Sequence, residues 1–258
     1  MQIENKNKVR NFLEYLPEGI KFHKLKSDGL AKFIFLVVLI IQIAANFLQY
    51  KVLDVASSQD IYSAFSSLVS SGEAINVKSV ENALYTLLST AGVSLIILIV
   101  SNLFYSVYMF SFIAEKTGRD CSFKASFKRV FKYLFRLILL NICFGITVGV
   151  GLSFFIVPGI LLYIMFIFSF CYVVDLRSLV FDSMNNSYEL TAGKKKSIFS
   201  VLAGYFALIK LPQILFLGGG SFGAACIASF FSIIGSLILQ RFIVLIYLDI
   251  EYGATKQK

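Results

Sequence analysis

Tryptophan is missing from the 258 residues of this chain, histidine occurs once, proline three times and cysteine four times. The lone His23 sits beside Lys21, Lys24 and Lys26, where a surface role fits better than that of a base. Around this lone lysine-flanked histidine no plausible Ser-His-Asp set is expected, and neither a G-x-S-x-G elbow nor an H-E-x-x-H helix occurs. Cys143, Cys171 and Cys226 lie inside apolar runs and Cys121 in a basic loop. That pattern is neither a disulfide framework nor a metal-ligand spacing, so no metal or cofactor is expected. Gly218-Gly219-Gly220 lacks the Lys-Ser/Thr of a phosphate-binding loop, which argues against an ATP-driven pump acting alone.

Charge is also scarce, at 15% of residues, and acidic groups number 15 against 24 basic ones. What fills the chain instead is hydrophobic, 57% of residues with a mean hydropathy of +0.78. Soluble domains are nearer 45–50% apolar. The charges cluster between uncharged runs of about 20 residues, the mark of transmembrane helices. The net charge of +9 would suit nucleic acid, but the basic residues stand at the ends of apolar runs, where they orient spans. No nucleic acid is expected as a partner.

Six spans are expected in an all-α bundle: about 31–48, 84–113, 130–155, 160–174, 197–217 and 222–248. The first is too long for a signal-peptide core and reads as an uncleaved span. Before it, residues 1–29 form a basic segment in which Phe12, Leu13 and Leu16 suggest a short surface helix ended by Pro17. The domain of spans covers 30–250, and a polar tail covers 251–258. Within 50–85, Ile61, Phe65 and Leu68 have helical spacing. Seven Lys/Arg fall in 1–32, seven in 114–136, four in 176–197 and two in the tail, but only two in 50–85. This alternation predicts both termini on the cytoplasmic side of a bacterial cell membrane. Tyrosine, with its polar tip, is the expected interfacial aromatic.

Phe123, Phe127, Phe131 and Phe135 recur every four residues, and Lys124, Lys128, Lys132 and Arg136 follow one position later. A helix turns these into an aromatic ridge beside a basic ridge. Such a helix suits the membrane surface, with rings among acyl chains and ammonium groups at anionic headgroups, or simply anchors the next span. Lys194, Lys195 and Lys196 form a second basic cluster after the Gly193 stop. In the 178–191 helix, Val180, Met184, Tyr188 and Thr191 lie along one side.

Polar groups inside the spans are few. Gln42 and Asn46 share one helix face; Asn141, Lys210 and Arg241 stand in other spans. Interhelical hydrogen bonding or a substrate path would explain them, and intramembrane charge is a functional-site hypothesis by default. Gly145 and Gly149 form a G-x-x-x-G pair that permits close helix contact. Asp175, Asp182, Glu189 and Asp249 are the inner-face acids, balancing basic neighbours or forming a catalytic cluster. Arg241 is expected to pair with Asp175, or else to reach lipid phosphates.

Three stretches taken together resemble a known family: Val157-Pro158-Gly159-Ile160, then Asp175, then Asp182-Ser183-Met184-Asn185-Asn186-Ser187-Tyr188-Glu189-Leu190-Thr191-Ala192-Gly193-Lys194. The segment Phe242 to Asp249 is similar to that family's last span. The family is the membrane domain attached to some bacterial glycerophosphodiester phosphodiesterases, with its free-standing six-span relatives. Met184 stands where that family usually has leucine, and Ala192 where a basic residue is frequent. The resemblance implies a turn at Pro158-Gly159, a six-span fold and a membrane location. With no phosphodiesterase domain in the chain, it does not imply that activity. Three functions stay open: a scaffold or accessory subunit engaging anionic lipid, a membrane partner or its own copies; a transporter lined by Gln42, Asn46, Asn141 and Lys210; and a lipid-modifying enzyme.

Overall fold

The computed structural model describes residues 9–27, 29–48, 77–212 and 222–253, and within these the fold is helical, without a strand. The helices are α1 (Phe12–Gly19), α2 (Leu30–Phe47), α3 (Val77–Lys116), α4 (Phe123–Lys132), α5 (Leu134–Phe154), α6 (Ile156–Phe166), α7 (Ser169–Leu176), α8 (Val180–Thr191), α9 (Lys195–Tyr205) and α10 (Phe222–Glu251). Five stretches of the described residues are long and apolar enough to cross a membrane: Leu30–Phe47, Ala91–Lys116, Leu134–Phe154, Ile156–Leu176 and Phe222–Glu251. The expected span at 197–217 is not one of them. Its described part is α9, followed by a π-helical turn at Phe206–Lys210. The expected helix around Phe65 and the turn at Gly218–Gly220 lie outside the described residues.

Local chemistry sets the breaks. At 40 residues α3 is about 60 Å long, twice a bilayer's hydrocarbon core; it stops at Thr117, and Gly118 takes a left-handed φ of 71°. The Ser122 hydroxyl then caps α4, accepting from the Ala125 amide at 3.3 Å. The α5–α6 turn falls at Phe155, whose backbone is extended (φ −161°, ψ 152°), and not at Pro158-Gly159. Pro158 is the third residue of α6, in the turn whose amides have no intrahelical acceptor. Gly159 is there for packing: a Cβ would sit 2.8 Å from the Leu152 amide nitrogen, and one on Gly151 would sit 3.0 Å from the Gly159 Cα. The tight glycine contact between helices is therefore Gly151 with Gly159. Gly145 and Gly149 face open space, with nothing within 4 Å of a Cβ.

The fourth span is two helices. It breaks at Ile167-Phe168, and α8 repairs the break. Ser187 Oγ donates to the Met165 carbonyl at 2.8 Å and accepts from the Phe168 amide at 3.2 Å. The buried side of α8 is accordingly Val180, Ser183, Ser187 and Thr191, while Tyr188 is exposed. Small hydroxyl residues let α8 approach closely and satisfy a broken backbone; along the side of Val180, Met184, Tyr188 and Thr191, the first and last are buried, Met184 is half-buried and only Tyr188 is exposed. Gly193 ends this stretch with φ 73°, as its position after Thr191 predicted.

The packed core lies at the end that holds α1, the α3–α4 turn and the end of α10, termed the basic end below. There α10 is buried continuously from Arg241 to Ile250. The segment before α2, expected to be solvated, is docked. α1 runs through Pro17, Tyr15 has no exposed surface, and Phe12 stacks on Phe242 with ring centroids 5.7 Å apart. Gly19 and Gly204 make room, since a Cβ would come within 2.8 Å of Phe242 and 2.6 Å of Phe12.

Candidate functional site

A cavity of about 770 Å³ lies between α2, α3, α5, the α6–α7 break and α10. From α2 come Gln42 and Asn46; from α3, Ser94, Ser101, Asn102, Tyr105 and Ser106; from α10, Ser229, Ser232, Ser236 and Gln240. Asn141 closes it on the α5 side toward the basic end. Those polar positions fall on single helix faces, at spacings of three and four residues on α3 and α10. The rest of the α5 wall is Phe144, Gly145, Val148, Gly149 and Leu152, all apolar. None of the described residues lining the cavity is Asp, Glu, Lys, Arg or His.

Part of this polarity holds helices together. Asn102 Nδ2 donates to Asn141 Oδ1 at 2.5 Å, linking α3 to α5, and Asn46 Nδ2 donates to Ser229 Oγ at 3.0 Å, linking α2 to α10. Ser101 is different: it is 5% exposed and its hydroxyl has no hydrogen-bond partner. A buried hydroxyl without a partner is costly, and this one lies on the cavity wall. Lys210 stands just behind the wall, in the π-helical turn, with Nζ donating to Ser232 Oγ at 3.3 Å. π-helical turns are rare and recur at functional sites. Sequence reading found Gln42, Asn46, Asn141 and Lys210, and the structure brings the first three together, with the fourth adjoining. It missed Ser101, Asn102, the three serines of α10 and Gln240. Their common face was the available signal, but single serines in apolar runs attract no attention residue by residue.

Arg241 belongs to a different place. It is 6% exposed, below the cavity, with Nη1 donating to the Lys24 carbonyl at 3.0 Å and to Tyr108 Oη at 3.3 Å. Its guanidinium carbon lies 4.1 Å from the centre of the Phe112 ring. The expected pair with Asp175 does not form. A carbonyl from the segment before α2 and a ring face take its place, and no pattern in the α10 sequence announces either.

Asp175 is taken by other groups. Arg119 forms an ion pair with it, and Tyr247 and Tyr252 donate to Oδ2 at 2.8 and 2.7 Å. Arg129 donates to the Val174 and Asp175 carbonyls at 3.0 and 2.6 Å, and Arg136 to that of Arg177 at 2.7 Å. These arginines complete the carbonyl end of α7, which turns at Arg177 with φ 63°. Burial and then the Asp175 bond push the Tyr252 hydroxyl up to about 12, so it remains a donor at neutral pH. Burial and then the Arg177 cation pull Arg129 below its ordinary value. Asp249 has its own partners, Arg10 Nε and Tyr15 Oη, each at 2.7 Å. Asp182 and Glu189 are exposed on α8, Glu189 accepting from Asn185 at 2.9 Å. The four acids thus have separate surroundings and do not build one catalytic cluster. Tyrosine likewise serves the core: Tyr15, Tyr108 and Tyr247 are among the largest fully buried side chains.

On α4, Lys124, Lys128 and Lys132 are exposed beside exposed Phe123 and Phe131, and the ridge continues to Phe135, 78% exposed. Phe127 is drawn inward between Phe33 and Phe104. Lys194 and Lys195 are half-buried and Lys196 exposed, with Lys195 over the Tyr188 ring at 5.2 Å.

Among the described residues the fold is thus all-helical, with five stretches able to cross a membrane. No family model, curated protein or solved structure matches the chain.

Proposed function

We propose that the protein is a six-span transporter of the cell membrane and that it carries a small molecule through the polar cavity. The observation that carries this reading is a hydrogen-bonding cavity of about 770 Å³ inside an apolar bundle. That volume is in the usual range for small-molecule sites, and polar groups in lipid are expensive unless they serve contacts or a path. Its described lining runs from Asn141 and Gln240, beside Arg241, to Ser94 and Ser229, farther from the basic end. With the basic end cytoplasmic, as the Lys/Arg distribution supports, the cavity faces away from the cytoplasm. The resemblance to the membrane domain of glycerophosphodiester phosphodiesterases agrees with this architecture and adds no activity.

The test is cysteine accessibility in a background lacking the four native cysteines. A membrane-impermeant maleimide added outside should label Ser94→Cys and Ser232→Cys, and should leave Lys195→Cys untouched. Unreactive cavity cysteines in oriented vesicles would remove the transport reading.

The exposed Phe and Lys ridges of α4 favour a second role that is compatible with the first. In it the basic end engages anionic lipid, as a membrane scaffold or accessory subunit would, with room for a protein partner or a second copy.

A further inference from the structure

The lining of the cavity is sorted by chemistry. Apart from Asn141 and Tyr163, the amides and hydroxyls come from α2, α3 and α10, interleaved there with apolar residues such as Ile97, Leu98 and Leu239, and the α5 side is apolar beyond Asn141. The α5 side is also where the bundle is open. Gly145 and Gly149 have no atom within 4 Å of where a Cβ would be, and Ile146 and Val150 beside them are exposed. Two glycines one turn apart leave a smooth groove along α5, wide enough for a chain of methylenes to lie against the backbone. Charge is missing from the described residues of the wall, and a bare ion buried without a countercharge is strongly disfavoured. Lys210, a cation adjoining the wall, donates its ammonium to Ser232. The amides of Gln42, Asn46 and Gln240 offer donors and acceptors together. From this sorting we infer that the cavity holds an amphiphile with an uncharged head rich in hydroxyl or amide groups, its hydrocarbon tail leaving along Gly145 and Gly149. The inference rests on the transport reading and names its substrate class.

Photolabelling of the full chain in phosphatidylcholine nanodiscs tests it. One probe is a monoacylglycerol with a diazirine in its chain; the other is the fatty acid with the same chain and diazirine, whose head is a carboxylate. The uncharged probe should label α5 and the facing residues of α3. The carboxylate probe should label them at least about tenfold less, as expected for an ion without a partner. Gly145→Leu and Gly149→Leu should abolish the labelling with melting temperature unchanged, because their side chains enter open space. Gln42→Leu should weaken it by about fivefold, the worth of one neutral hydrogen bond. Stronger labelling by the carboxylate probe overturns the uncharged head. Absence of lipid labelling, with free glycerol protecting Ser232→Cys from maleimide, overturns the amphiphile and leaves the transport reading standing. Unreactive cavity cysteines together with absent labelling overturn both.

Discussion

The two ends of α10 are built to opposite rules. From Arg241 to Ile250 every residue is buried, and the charged ones have named partners. From Phe222 to Phe231 the helix is half-exposed, with Ile227, Phe230 and Phe231 open and Ser229 on a cavity wall. Both ends are apolar helix of similar composition, so hydrophobicity does not set them apart. What differs is the neighbourhood. At the basic end α1, α7 and α9 close over the bundle, and Arg119, Arg10 and the Lys24 carbonyl meet Asp175, Asp249 and Arg241. At the other end α2, α3 and α5 stand apart around small side chains. The lesson is that in a membrane bundle ion pairs and hydrogen bonds between helices accompany tight packing, even where single atoms such as Arg241 Nε and Asp249 Oδ1 stay unpaired, and space remains where serines and glycines face it.

The largest expected effect breaks the packed end. Asp175→Ala strands Arg119 and two tyrosine hydroxyls and should cost about 3 kcal/mol, at the low end for breaking a buried pair because Arg119 is partly exposed. Thermal melting of the detergent-solubilised protein reads it. Ser101→Ala, in the loose half, should leave the melt within about 0.5 kcal/mol of the parent. Similar losses in both variants would erase the contrast.

Arg241→Met keeps most of the apolar volume over Phe112 and loses the bonds to Lys24 and Tyr108, a loss of about 1.5–3 kcal/mol for hydrogen bonds from a charged group. Combined with Asp175→Ala, the two effects should add, since they share no partner. A double variant clearly more stable than the sum would restore the direct pair that the structure denies.

Glycines sharpen the same comparison more gently. Gly159→Ala forces a methyl against the Leu152 backbone and should cost about 1–3 kcal/mol, the usual penalty of overpacking. Gly149→Ala enters open space in a regular helix and should be neutral or stabilising by up to about 1 kcal/mol. Equal melts would mean that α5 packs alike along its length.

The smallest effect belongs to α4. Each exposed lysine near an anionic surface is worth about 1 kcal/mol, screened by salt. A peptide of residues 119–136 should become helical on phosphatidylglycerol vesicles and lose about that much per Lys→Gln at positions 124, 128 and 132. Undiminished binding to neutral vesicles in high salt would leave only the phenylalanine ridge at work.

The sequence by itself determined that this chain is a bundle of apolar helices with basic connections, because the periodicity and length of an apolar run are local properties. Gly193 as a stop and the twin ridges of α4 were legible for the same reason, each resting on residues within a turn or two. Gln42, Asn46 and Asn141 stood out as polar residues in apolar runs, though not as walls of one cavity. Only the tertiary structure decided the partners. Arg241 met a carbonyl and a ring rather than Asp175, Tyr15 reached Asp249 across 234 positions, and Ser187 closed a break in another helix. Gly145 and Gly151 look alike in sequence, yet one faces space and the other Gly159. Which groups satisfy a buried charge, and whether a small residue means contact or cavity, depends on how helices far apart in the chain are placed, and no local pattern carries that.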